Sequence, residues 1–237
     1  MSNYPFVLGI DLGTTGIRVL VMNNAEEILH TSSILYRNSL VEWRDWQECC
    51  RELIKKIPKE IKKELSACAI AGTSGTLLAC NKQGQPLSDA LPYHLSCPEQ
   101  RTKLSELFSP GETGSSTHSS VARALRLVQK YGNEIILRHQ ADWVSGWLLN
   151  NWEHGEESNN LRLGWDIAKK SWPLTFKHLP WEKALPKIVT SGTVLSNISE
   201  NISKELGLPE RMKVVSGTTD SNAAVLATYA KQDEGVT

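Results

Sequence analysis

Gly9-Ile-Asp-Leu-Gly-Thr-Thr-Gly16 is the stretch on which the fold turns. It separates two apolar runs, Phe6 to Ile10 and Ile17 to Met22. Both runs are short and rich in branched residues, as strands are. Asn23-Asn24 marks a second turn, and Ile28 to Tyr36 reads as a third strand. The chain is therefore expected to open as an antiparallel meander. Two glycines and two threonines in the first turn offer several N–H groups and hydroxyls to one anion. Glycine is needed where backbone comes close to a phosphate or takes positive φ. The turn is not a Walker A loop, since Gly-Lys-Ser/Thr is lacking and no helix follows. The dinucleotide fingerprint fails on the same topology. Asp11, at the strand end, is placed to hold Mg²⁺ through water, because hard cations take oxygen ligands. The plainer alternative is a glycine-rich turn with a surface Asp.

Further along, Glu42 to Ile57 carries Trp43, Trp46, Cys50, Leu53, Ile54 and Ile57 at helical spacing, up to Pro58. Leu65 to Ala71 reads as a strand ending at Gly72-Thr-Ser-Gly75, and Thr76 to Cys80 as another. Helices are expected over Ser119 to Tyr131, after a cap at Asp142, and over Asn197 to Leu206 with Gly207 as its stop. Met212 to Ser216 reads as a strand, and Asp220 to Tyr229 as a helix of small residues. Residues 150 to 190 are Trp-rich and read as irregular. Strands alternating with helices give an α/β class.

Two more strand ends carry polar motifs. In Gly217-Thr-Thr-Asp-Ser-Asn-Ala-Ala224 a strand turns into a helix, putting Thr219 and Asp220 at a helix start, where anions are favoured. Plain capping is the alternative there. In Ala71-Gly-Thr-Ser-Gly-Thr76 small hydroxyl residues between glycines suit a polyol, with a hairpin turn as the alternative. Ligand sites in open sheets gather at strand ends, so the three motifs gain meaning together.

The bulk numbers exclude several classes. Lys plus Arg and Asp plus Glu are 26 each, so no basic excess points to nucleic acid or an acidic membrane. No apolar run approaches the roughly 20 residues that cross a bilayer. The first ten residues lack the pattern of a signal peptide. Five cysteines without a CxxC suit neither a disulfide framework nor zinc, and fit a cytoplasmic chain with free thiols. The six histidines show no metal-ligand spacing. Pairs such as Trp43 with Trp46 and Trp143 with Trp147 have helical spacing, so core packing is expected of them.

Taken in order, Ile10-Asp-Leu-Gly-Thr-Thr-Gly-Ile-Arg18, Gly72-Thr-Ser-Gly-Thr76 and Gly217-Thr-Thr-Asp-Ser-Asn-Ala-Ala224 resemble the FGGY carbohydrate kinases. Gly72 to Thr76, Gln140-Ala-Asp-Trp143 and Asn159-Asn-Leu-Arg-Leu-Gly164 resemble the cyanobacterial and plant branch that acts on D-ribulose or is labelled xylulokinase-like. Glu156 stands where many members of the family have Asp. The resemblance implies a ribonuclease H-like domain of the actin/hexokinase superfamily, with a mixed sheet and flanking helices. It implies transfer of the ATP γ-phosphoryl to a sugar hydroxyl, with Asp220 as catalytic base. Gly13, Thr14 and Thr15 would bind phosphate and Asp11 the Mg²⁺. Thr73, Ser74, Gly75, Ser221, Asp11 and Asp220 would line the sugar site. A second, C-terminal domain with the adenosine pocket follows in the family. Residues 1 to 237 read as the sugar-binding domain alone, so a non-catalytic, truncated chain is the first alternative. An actin-like or chaperone ATPase is the second, although neither needs the Gly72 to Thr76 loop.

Overall fold

The computed structural model describes residues 6–228. The meander forms as expected: β1 (Phe6–Leu12), β2 (Gly16–Met22) and β3 (Ile28–Leu35) pair antiparallel in sequence. The strands run longer than the apolar runs, so Asp11 lies inside β1 and the turn shrinks to residues 13–15. Cross-strand pairing extends beyond the hydrophobic pattern there because Asp11 sits opposite Arg18 and ion-pairs with it at 3.0 Å.

Next come α1 (Trp43–Lys56), α2 (Lys59–Lys63), β4 (Leu65–Gly72) and β5 (Leu77–Cys80). The middle of the chain contributes α3 (Arg101–Leu107), α4 (Ser120–Tyr131), β6 (Ile136–His139) and α5 (Gln140–Leu149). The last part holds β7 (His154–Glu156), α6 (Glu157–Asn160), β8 (Lys187–Val189), β9 (Val194–Asn197), α7 (Glu200–Leu206), β10 (Lys213–Thr219) and α8 (Asp220–Ala227). The main sheet has the order β3-β2-β1-β4-β10-β9. Its centre, β1-β4-β10, is parallel, and β9 returns antiparallel on β10.

Leu8, Ile10 and Leu12 alternate with more exposed residues, so β1 buries one face. That core takes in Trp46, Cys50, Leu53 and Ile54 of α1 and Trp143, Val144 and Trp147 of α5. Spacing of three and four residues puts the α1 set on one stripe, and Lys55 and Lys56 in its last turn suit the helix dipole. A second core joins β5 and β6 to α3 and α4 through Leu77, Leu137, Leu104 and Val121. Ser119 caps α4, accepting from the Ala122 amide at 3.2 Å, as its position predicts.

Four sequence expectations need correction. The helix expected from Asn197 starts at Glu200, because Val194–Asn197 is drawn into β9 by pairing with β10. Asp142 does not cap α5. His139 holds that position, and Asp142 lies buried in the first turn. The Gly72–Thr76 segment is no hairpin, since β5 leaves β4 and pairs with β6. The 150–190 segment contains β7, α6 and β8, whose strands pair parallel. The expected helix end at Tyr229 lies outside the described residues. Of the tryptophans in the spaced pairs, Trp46, Trp143 and Trp147 are buried and Trp43 packs against them.

Candidate active site at the ends of three parallel strands

Register brings the three motifs to one edge. Leu12 and Thr219 both pair with Gly72, so Gly13, Thr73 and Asp220 leave their strands side by side. With strands about 4.8 Å apart, the backbones at Leu12 and Thr219 lie roughly 10 Å from each other. A cavity of about 1120 Å³ lies elsewhere, between residues 105–114 and 164–175, and none of the strand-end residues lines it. Ends of parallel strands are where such folds bind ligands, so this edge is the candidate site.

On β1, the Gly13 amide closes the turn on the Gly16 carbonyl at 3.0 Å, and Thr14 and Thr15 are exposed. Tyr36 holds this turn twice: its amide donates to the Thr15 carbonyl and its hydroxyl to the Gly13 carbonyl at 2.9 Å. Burial pushes the Tyr36 phenol well above its ordinary range, so it stays a donor. Asp11 Oδ2 takes Arg18, and its other oxygen has no hydrogen bond among the described residues. Its side chain is 40% exposed, which suits a hydrated divalent cation. Among the described residues no group of three or more His, Cys, Asp or Glu could hold a metal directly.

On β4, Thr73 turns inward. Its hydroxyl donates to Gln140 Oε1 at 2.7 Å and lies 3.0 Å from Thr76 Oγ1, and the residue is 2% exposed. Of the trio expected at the sugar, Ser74 alone offers a half-exposed side chain. Gly75 takes φ +95, a left-handed conformation that favours glycine, and a Cβ there would meet Arg123, Arg162 and Tyr93. The Gly75 carbonyl accepts from Arg123 Nε at 3.1 Å. Arg123 is fully buried and also donates to the carbonyls of Tyr93, Leu95 and His118. Burial pulls its pKa down to about 10, and the charge of Arg162 adds to the fall.

On β10, the register shifts between Val215 and Thr218, and this bulge re-aims the last residues. Thr219 is the N-cap, accepting from the Asn222 amide, and Asp220 is the first residue of α8. Asp220 Oδ1 accepts from the amide and the hydroxyl of Ser221 at 2.7 and 3.3 Å. Its other oxygen carries no hydrogen bond among the described residues, and the side chain is exposed. Such a carboxylate can accept a proton from a hydroxyl brought to it.

Sequence reasoning did not find the residues that hold these loops: Tyr36, Arg123 and Gln140 in its bridging role. It also missed a buried network behind them. Asp142 accepts from the Glu156 amide and from Asn160 Nδ2, while Glu156 accepts from the Ser158 and Asn159 amides and from Ser191. The only sequence signal was that Glu156 precedes Ser158 and Asn159 as an N-cap would.

A mixed sheet with this strand order and these strand-end loops is a ribonuclease H-like fold, the fold expected from the sequence. The xylulose kinase from Lactobacillus acidophilus superposes with a TM-score of 0.81 at 14% identity, covering 95% of this chain and 50% of that one. In sequence, the chain is 21% identical to the L-fuculokinase of Escherichia coli over 97% of its own length and 54% of that protein's. It is 22% identical to the xylulose kinase of Lactococcus lactis, over 93% and 48%. No protein-family model matches. The chain thus spans about half the length of the curated relatives it matches. These likenesses are all to carbohydrate kinases, the kind of protein the sequence motifs resemble. Among the described residues no helix is long and apolar enough to cross a membrane.

Proposed function

We propose that this chain supplies the sugar site and the proton acceptor of an ATP-dependent sugar kinase. The observation that carries this reading is the register that puts Gly13, Thr73 and Asp220 at one edge of parallel strands. Phosphoryl transfer needs mostly positioning and charge neutralisation. Asp220, through its free oxygen, accepts the proton of the attacking hydroxyl and fixes its direction. Ser74 and the backbone of Gly75 contact the sugar from the other side, with Thr73 as the buttress beneath and Ser221 beside Asp220. The amides and hydroxyls of Gly13, Thr14 and Thr15 steady phosphate oxygens. Asp11 holds hydrated Mg²⁺, which when bound neutralises phosphate charge.

The acceptor we propose is a ketopentose such as D-ribulose, on the likeness of Gly72 to Thr76 and Asn159 to Gly164 to the ribulose branch. Adenosine is bound by a C-terminal domain outside these 237 residues, and the working protein is cytoplasmic.

The test is sugar-dependent ADP formation from Mg·ATP by the protein carrying this chain, against ketopentoses, polyols and hexoses. Asp220→Asn is expected to keep the fold and to lower kcat by at least about a hundredfold, as loss of a general base does. Turnover like the wild type in that variant removes Asp220 from the role. Sugar binding by calorimetry without ADP formation would overturn the transfer step.

A further inference from the structure

Gln140 stands between the two loops that would hold ligands. It is fully buried at the start of α5, so its amide must find partners inside the protein. Its Oε1 accepts from the Thr73 hydroxyl at 2.7 Å and the Thr73 amide at 3.3 Å. Its Nε2 donates to the Tyr36 hydroxyl at 3.2 Å, and that hydroxyl donates to the Gly13 carbonyl. One proton pattern satisfies the whole run. The Thr73 amide can only donate, so Oε1 must face β4; Tyr36 uses its proton on Gly13, so it must receive from Nε2. The Thr73 proton goes to Gln140, so Thr76 donates to Thr73. The result is a continuous line from the Gly13 turn to the Thr73–Gly75 loop, anchored on a helix packed against β4 and β10.

We propose that Gln140 is a positioning residue that fixes the spacing of the Gly13 turn and the Thr73–Gly75 loop, with Tyr36 as its arm to the turn. The Thr73 arm is buried and the Tyr36 arm part-buried, and both are directional, so a shift of either loop breaks a bond of the run. A side chain of equal length without the amide, as in Gln140→Met, cuts both arms. Tyr36→Phe cuts the arm to Gly13 and leaves Thr73 on Gln140.

The consequence for catalysis rests on the kinase reading, so the test has one readout that does not. In amide exchange on the 237-residue chain, Gln140→Met is expected to speed exchange at Thr73 and at Gly13 together, by about fivefold or more for each lost bond. Tyr36→Phe is expected to speed Gly13 and to leave Thr73 as it was. In steady-state kinetics on the protein carrying this chain, Gln140→Met raises KM for both sugar and Mg·ATP by about fivefold. Tyr36→Phe raises KM for Mg·ATP and leaves that for sugar within about twofold. A wild type without kinase activity removes the proposed function and leaves the exchange test standing. Unchanged exchange at Gly13 in both variants, or a uniform loss of kcat with both KM values kept, overturns the positioning role. Thermal midpoints separate these outcomes from misfolding, and Tyr36→Phe, which removes only a hydroxyl, serves if Gln140→Met fails to fold.

Discussion

A Cβ at Gly217 would sit 1.8 Å from the Ile70 carbonyl oxygen, a backbone atom that cannot swing aside. The bulge of β10 therefore presses its glycine onto β4, and this close approach lets Thr218 and Thr219 rejoin the register beside Gly72. Gly217→Ala should force the strands apart at the point that aims Asp220. Overpacking of this kind is expected to lower unfolding free energy by about 3 kcal/mol, measured by urea denaturation. A loss below about 0.5 kcal/mol, the range of an ordinary surface change, would show that β10 yields without strain. Residues of this sort are legible in sequence because their signal is local: Gly-Thr-Thr-Asp and Asp-Leu-Gly-Thr-Thr-Gly announce turns and strand ends by composition. Gln140, Tyr36 and Arg123 were not legible, since their partners lie 67, 104, 23 and 48 residues away. No periodicity marks a side chain whose role is to reach a distant carbonyl.

At the scale of elements, the junction of β6 and α5 stores two opposed ionisations. Burial pushes Asp142 up to about 7, and the nearby Glu156 charge adds to the rise, against the Glu156 amide, Asn160 and Arg138. Burial pulls His139 down to about 3, helped by the charges of Arg123, Arg138 and Arg162 and opposed by Asn160. The two side chains are 3.9 Å apart at His139 Nδ1 and Asp142 Oδ2, too far for a hydrogen bond. Between the unfolded Asp value of about 4 and pH 7, the folded state keeps a proton that the unfolded state has lost, so Asp142 makes stability fall as pH rises. Between pH 3 and the unfolded His value of about 6.5, the unfolded state binds a proton that buried His139 refuses, so His139 makes stability fall as pH drops. The slopes oppose each other from about pH 4 to 6.5. Asp142→Asn should expose the His139 slope, up to about 1.4 kcal/mol per pH unit, with stability lost toward acid. His139→Gln should expose the opposite slope. Thermal midpoints at several pH values in this window read both, and an Asp142→Asn slope equal to the wild type would refute the opposition. The sequence marked Asp142 as a helix cap, a role open to any Asp before an apolar run. Only the non-local pairing of β5 with β6 shows that the helix begins earlier and that Asp142 faces inward. Pairing with β10 likewise took Asn197 out of the expected helix and into β9.

At the scale of the molecule, the two cores are unevenly shared. α1, α5 and α7 bury residues into the core that joins the main sheet, whereas α8 buries none, and Val225 and Leu226 are 42% and 70% exposed. An isolated helix of this length is marginal in water, because nucleation is costly and short helices depend on a packed face. α8 has its Thr219 cap and its contacts with β10 and β4, and little else among the described residues. The candidate proton acceptor thus stands at the joint between a strand paired on both sides and a helix that buries no residue. Amide exchange should divide there: Val214 and Val215, paired on both sides in the sheet, should be protected at least about a hundredfold more than Val225 and Leu226. Protection of α8 equal to that of β10 in the 237-residue chain would mean that another surface covers it, and a second copy of the chain would then be sought by sedimentation. With low protection in the chain alone, α8 should gain protection in any longer protein whose added part packs on it. Asp220 would then be fixed from both sides only in that protein, so the kcat defect of Asp220→Asn should be measured there, with sugar affinity in the shorter chain as its reference.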